Sequence, residues 1–234
     1  MNRKVLLLVF TAALAFAVPA KSDEFLLGFT GFDYQDPNTS PATYLAVGEG
    51  YKMVGFVTSV GLLLTPWVDF SVNQYTVFVT DLTVTSRSAF FQFFSANFAP
   101  NGRGSYFADP LIGGLSAATY GTLPPNLTAP STFTDGSMRL TGDIDNFVLT
   151  YNFSTNQGNF SGDMTQDGGP DLIYIPVPQQ GGWILGGLAG RGLAGPPNAN
   201  VPSGYDNQVS GECRIPDATP TTHRSWGAVK ALYR

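Results

Sequence analysis

The densest run of potential ligand atoms in the chain is Asp163-Met164-Thr165-Gln166-Asp167-Gly168-Gly169-Pro170-Asp171. Calcium takes about six to eight oxygen ligands from a loop turned sharply by glycine. Asp163, Thr165, Asp167 and Asp171 stand at positions one, three, five and nine of such a loop. Position twelve, where a bidentate carboxylate belongs, is Tyr174, and no helical pattern flanks the stretch. A polar, glycine-rich turn between strands explains the same letters. Calcium is therefore the one cofactor these residues leave open, and no other is implied.

Asp143 and Asp145 form a second carboxylate pair. On a strand they project from one face, close enough for one carboxyl to raise the pKa of the other, and two carboxylates are the working parts of a glycosidase. Two solvated carboxylates at a strand end or bulge are the plainer reading. Trp67 and Trp183 are the indoles that could stack on a sugar, with burial in a core as the alternative. Asn38, Asn126, Asn152 and Asn159 each begin an Asn-x-Ser/Thr triplet, which matters only in a host that glycosylates.

Other chemistries are excluded by what the chain lacks. Its one histidine, His223, lies close to the C-terminus, so a Ser-His-Asp relay has no well-held imidazole and multi-histidine metal sites cannot form. Its one cysteine, Cys213, excludes an intrachain disulfide, a Cys-x-x-Cys redox pair and a thiolate zinc site, and reads as a small buried apolar side chain. Carboxylates are then the one catalytic currency left, and the reading leans toward a non-catalytic protein while leaving a carbohydrate-active enzyme open.

The elements that must position these residues begin after a leader. Arg3 and Lys4 precede an apolar run from Val5 to Val18 that is too short for the ~20 residues of a membrane span, and Val18-Pro19-Ala20 offers a small-x-small cleavage site. Residues 1–20 are therefore expected to be a cleaved signal peptide, making the protein secreted or resident in a cell envelope. Loss of Arg3 and Lys4 takes the 12 basic residues to 10 against 17 acidic, and the net charge from −5 to −7. The remaining Lys and Arg are isolated, which excludes a nucleic-acid partner. Charged residues make up 12% of the chain against a usual ~25%, leaving Ser, Thr, Asn, Gln and Gly to keep the surface wet.

Residues 21–216 read as a single all-β domain: short apolar runs punctuated by Gly, Pro, Asn and Asp, with no sustained helical period. Strands are predicted over 24–32, 44–47, 51–64 and 68–85. In the last, Tyr75, Val77 and Val79 have one parity and Leu82 and Val84 the other, which requires a bulge or turn near Asp81. The phenylalanine-rich stretch 88–98 reads as a strand buried between two layers, with a ligand groove or membrane-facing strip as the sharper alternative. Residues 100–130 read as a long irregular excursion. Asp135-Gly136 is placed to turn a tight hairpin between Phe133 and the run 138–144. Phe147, Leu149, Tyr151 and Phe153 alternate, 154–158 turn the chain, and Phe160, Gly162 and Met164 alternate on the return, predicting a second hairpin. Further strands are expected over 171–177, 183–188 and 208–215. About nine to eleven short antiparallel strands imply a β-sandwich or jelly-roll-like domain, with a small barrel as the variant.

Residues 217–234 form a linker and a mildly cationic tail. On a helix Trp226, Val229 and Tyr233 share a face with Leu232 beside them, which suits either a tag for sorting or docking on a membrane or partner, or a last piece of chain packed on the sheet. Three function classes follow: an exported non-catalytic domain with a structural, adhesive or ligand-binding role; a secreted carbohydrate-active enzyme or glycan-binding module; and an outer-membrane β-barrel. The partners that go with them are a glycan, a cell surface, or a membrane or sorting partner engaged by the tail.

Overall fold

A computed structural model describes residues 24–36, 43–116, 118–120, 132–190, 201–202 and 204–215. The leader, His223 and the tail residues Trp226, Val229, Leu232 and Tyr233 lie outside these, as do the sequon residues Asn38 and Asn126. Nine strands are present among the described residues: β1 (Glu24–Gln35), β2 (Gly50–Val60), β3 (Asn73–Phe90), β4 (Phe93–Phe98), β5 (Gly102–Pro110), β6 (Ser137–Asn152), β7 (Gln157–Gly168), β8 (Trp183–Gly190) and β9 (Asn207–Ile215).

The domain is all-β, but it is a closed barrel and not a sandwich. Every strand pair is antiparallel, and β9 returns to pair with β1 from Glu24↔Ile215 to Asp33↔Asn207. β4 and β5 run in line and fill one position between β3 and β6, with β4 on their upper halves and β5 on their lower halves. They are separated at Ala99–Asn101, where Asn101 has φ 123°. The result is an eight-position up-and-down barrel.

The sequence divides the chain into short strands because irregularities interrupt its alternation; in the structure those same points are bulges inside long strands. β3 has 18 residues and β6 has 16. Tyr51↔Leu82 and Met53↔Val79 leave Thr80-Asp81 opposite Lys52 alone, with Asp81 at φ 59°, which is the register change that the parity of β3 requires. A similar irregularity lies between Asp145 and Val148, where Asn146 has φ 52°. Bulged, strongly coiled strands curl a sheet until its first and last strands meet, and closure removes the exposed edges.

Some local expectations are corrected. Residues 44–47 form turns, not a strand, and 170–174 form a 3-10 turn. Asp135-Gly136 does not join two strands: Thr132–Thr134 form a helical turn that sets Phe133 on the outer face of the barrel, beside Phe56 and Tyr120. The stretch 88–98 is not a buried strand but a hairpin, β3 turning into β4 at Phe91-Gln92. The β6–β7 hairpin forms as its alternation demands, closing at Asn152↔Gln157.

β7 shows how the barrel is filled. Phe160, Gly162, Met164 and Gln166 point inward and are buried, while Ser161, Asp163, Thr165 and Asp167 face out. Interior rings need room, and Gly187 and Gly211 supply it: a Cβ on Gly211 would lie 2.5 Å from Phe29 and 2.9 Å from Phe160. A void of about 30 Å³ among Val79, Tyr106, Met164 and Trp183 holds no more than a water or so. The interior is a core and offers no ligand chamber. The lower end is sealed by buried Leu64 and Ile175, and beside that seal Asp171 is buried in a two-pronged ion pair with Arg139, at 3.0 and 2.5 Å.

Candidate functional site at the upper mouth of the barrel

The inward parity of β1 runs Leu27, Phe29, Gly31, Asp33, Gln35, so alternation that buries apolar side chains lower down buries a carboxylate near the top. Asp33 is fully buried. It accepts hydrogen bonds from the Asn207 backbone N–H at 2.6 Å, from Asn207 Nδ2 at 3.1 Å to each oxygen, from the Tyr51 hydroxyl at 2.9 Å and from the Tyr44 hydroxyl at 3.2 Å. Burial, reinforced by the neighbouring Asp206 carboxylate, raises its pKa to about 7, against the pull of the Asn207 and Tyr51 hydrogen bonds. The same burial, with Asp33 beside them, holds the Tyr44 and Tyr51 hydroxyls well above their ordinary range.

The turn segment 43–49 closes over this cluster. Leu45, at φ 54°, is fully buried; its N–H donates to Gln35 Oε1 at 2.8 Å, and Arg87 Nε donates to the Tyr44 carbonyl at 3.2 Å. Tyr44 enters a group of rings, its centroid 5.6 Å from Phe94 and 6.0 Å from Tyr151, with Phe153 at 5.2 Å from Phe94 and 5.5 Å from Tyr151. The Arg87 guanidinium lies 4.8 Å from the Phe94 ring centroid. Between these parts is a cavity of about 120 Å³ lined by Tyr44, Tyr151, Phe153, Asn156 and Asn207.

Outside the same rim, a shallow groove of about 300 Å³ runs across β4, β6, β7 and β8. Phe93 and Leu188 stand on its sides, and Thr150, Asn152, Gln157 and Asn159 line it between them, with no acidic or basic side chain among its residues. Above it the β3–β4 hairpin presents Phe90, Phe91 and Phe93, which are 72%, 89% and 58% exposed. Phe91 also has φ 52°, a conformation unfavourable for a bulky side chain. The Phe91 ring packs edge-on against Phe90, 4.4 Å between centroids, and is otherwise in water.

The residues nominated from sequence lie elsewhere. Asp143 and Asp145 face out from β6, where Asp143 accepts from Arg103 at 2.5 Å. Arg103 also holds Asp167 at 2.6 Å, and Asp163 accepts from Asn146 Nδ2 at 2.7 Å. Asp163, Thr165 and Asp167 are alternate residues of an extended strand, spaced about 6.6 Å apart along it, and Asp171 is turned away into its pair with Arg139; the four do not converge as a calcium loop would. Among the described residues no three His, Cys, Asp or Glu side chains gather as a metal site. Trp183 is buried, donating from Nε1 to the Gln179 carbonyl, while Trp67 stacks on Tyr174 at 3.7 Å at the lower end; the two indoles form no shared platform. Cys213 faces the core, its thiol pushed up to about 12 by burial and by Glu212.

Sequence reasoning missed Asp33, Tyr44, Tyr51 and Asn207. A signal for Asp33 was present: it is a carboxylate on the parity of Leu27 and Phe29. Comparison with known proteins finds no matching family model, no matching curated protein and no matching solved structure.

Proposed function

We propose that the chain is an exported, non-catalytic binding barrel that works through its upper end, with a neutral glycan as the ligand of the outer groove. The observation that carries this reading is the concentration of exposed rings there: Phe90, Phe91, Phe93 and Phe153 gather at one pole. Ring faces beside uncharged amides and hydroxyls suit a sugar, whose apolar face stacks and whose hydroxyls exchange hydrogen bonds. A binding role is favoured over a glycosidase because the groove is lined by no carboxylate, and Asp143, one of the candidate pair Asp143 and Asp145, is engaged by Arg103. It is favoured over a membrane-spanning barrel because β7 carries its apolar residues inward and Ser161, Asp163, Thr165 and Asp167 outward, the reverse of a lipid-facing band. Export remains an inference from the leader.

Saturation-transfer NMR with a panel of neutral oligosaccharides tests this reading. Transfer to a glycan that is lost in Phe93→Ala and in Asn159→Ala supports it. Absence of transfer from the whole panel, or transfer indifferent to both substitutions, overturns the groove as a glycan site.

A further inference from the structure

The mouth cavity differs in chemistry from the outer groove. It is lined by three rings, Tyr44, Tyr151 and Phe153, and by the amides of Asn156 and Asn207. Directly behind that lining is a buried carboxylate: Asp33 is hydrogen-bonded to both Tyr44 and Asn207, which form part of the wall. Every bond that Asp33 accepts comes from a neutral donor, and it makes no ion pair with another described residue. We propose that this cavity binds a small organic cation, an amine or trimethylammonium group, against the faces of Tyr44, Tyr151 and Phe153, with Asp33 as the charge behind the wall.

Three features of the site converge on that class. Aromatic faces attract cations through their quadrupole, more strongly where water is excluded, and the same ring cluster already holds one cation, Arg87 over Phe94. The low dielectric around a buried carboxylate extends its field across one layer of side chains with little screening. A volume of about 120 Å³ is below the ~300 Å³ at which ligand sites usually begin, so the occupant is a single head group and not a whole drug-sized molecule. Burial also keeps the Asp33 proton to higher pH than usual, so a cation that favours the ionised carboxylate will be taken up with proton release. The groups facing Asp33 are Tyr44 from the mouth turn, Tyr51 from β2, Asp206 just before β9 and Asn207 at its start, and of these only Asp206 carries a carboxyl group.

The inference rests on the upper end being a binding surface, and its test is separate from the glycan test. The full chain is titrated with tetramethylammonium chloride and with choline, against 3,3-dimethylbutan-1-ol as the neutral isostere of choline, at constant ionic strength, with chemical shifts as readout. The expected result is saturable shifts at Tyr44, Phe153 and Asn156, affinity for choline about tenfold above the isostere, and tighter binding with proton release from pH 6 to pH 8. Phe153→Ala, on a half-exposed ring that the fold can spare, weakens both cations, and Asp33→Asn removes the preference for charge. Equal binding of choline and its isostere overturns the proposal, as do saturable shifts confined to Phe93, Asn152 and Asn159, or an unaltered affinity in Phe153→Ala. Glycan binding lost with cation binding kept breaks the groove reading alone; the converse breaks this one alone.

Discussion

The two ends of the barrel solve different problems with similar residues. At the lower end Leu64, Ile175 and Trp183 are buried, the Trp67 ring lies flat on Tyr174, and the buried Asp171 faces an arginine. At the upper end the buried Asp33 faces hydroxyls and amides, and the nearby phenylalanines point into water. Asp171 is paired with a cation, whereas Asp33, among neutral donors in a dry site, has its pKa raised to about 7 by burial and by Asp206. Both ends leave apolar side chains in water, Trp67, Phe70 and Ile173 below and Phe90, Phe91 and Phe93 above, so what separates them is the partner of the buried carboxylate.

If that contrast is right, the largest stability effect belongs to the lower end. Trp183→Ala is expected to cost about 3–5 kcal/mol in urea unfolding while glycan and cation titrations of the folded fraction are unchanged; a loss under 1 kcal/mol would mean that the lower plug is not what closes the barrel. Next comes the waist between the ends, where Gly211→Val forces a branched side chain into Phe29 and Phe160 and is expected to cost about 1–3 kcal/mol. A neutral result there would show that the rings can move aside.

The upper end is expected to be read by pH. Asp33 holds its proton in the folded state up to about pH 7, whereas the unfolded chain releases it near the ordinary 3.8. Through Asp33 the folded state therefore binds more protons between those values, so the Asp33 contribution to stability is full near pH 4 and is lost as pH rises toward 7. Unfolding midpoints measured across that window should slope downward in the wild type and lose that component in Asp33→Asn, whatever the substitution does to absolute stability. An identical slope in the variant assigns the titration elsewhere. The smallest effect is at the hairpin tip, where Phe91→Gly relieves a positive φ and is expected to be neutral or stabilising by up to about 1 kcal/mol. A clear loss of stability would mean that the ring serves the fold after all.

The contrast was only half legible in the sequence. Alternation through Phe147, Leu149, Tyr151 and then Phe160 and Met164 has one interpretation, an antiparallel hairpin with one apolar face, and the parity change in β3 has one cure, a bulge at Asp81. Both are local, and both are present. Closure is not local: pairing of Phe32 with Gln208 spans nearly the whole domain, and apolar alternation looks the same in a barrel and in one sheet of a sandwich. The stretch 88–98 was misread because phenylalanine on both parities signals a doubly buried strand as readily as a turn with its rings outside. The mouth was hidden for another reason. Asp33, Tyr44, Tyr51 and Asn207 share no motif and no spacing, and only the ring of strands brings them within hydrogen-bonding distance.

Closure also sets how the barrel carries load. Glu24 and Ile215 are neighbours at the lower pole, so tension applied between those two ends peels β1 from β9 one pair of bonds at a time, as a zip opens. Tension entering at a ligand on the upper rim and leaving through either flanking segment runs along the strands instead, and the cross-strand bonds, which lie perpendicular to it, must yield together in shear. The same fold is thus mechanically weaker when pulled between Glu24 and Ile215 than when pulled between its upper rim and either of them.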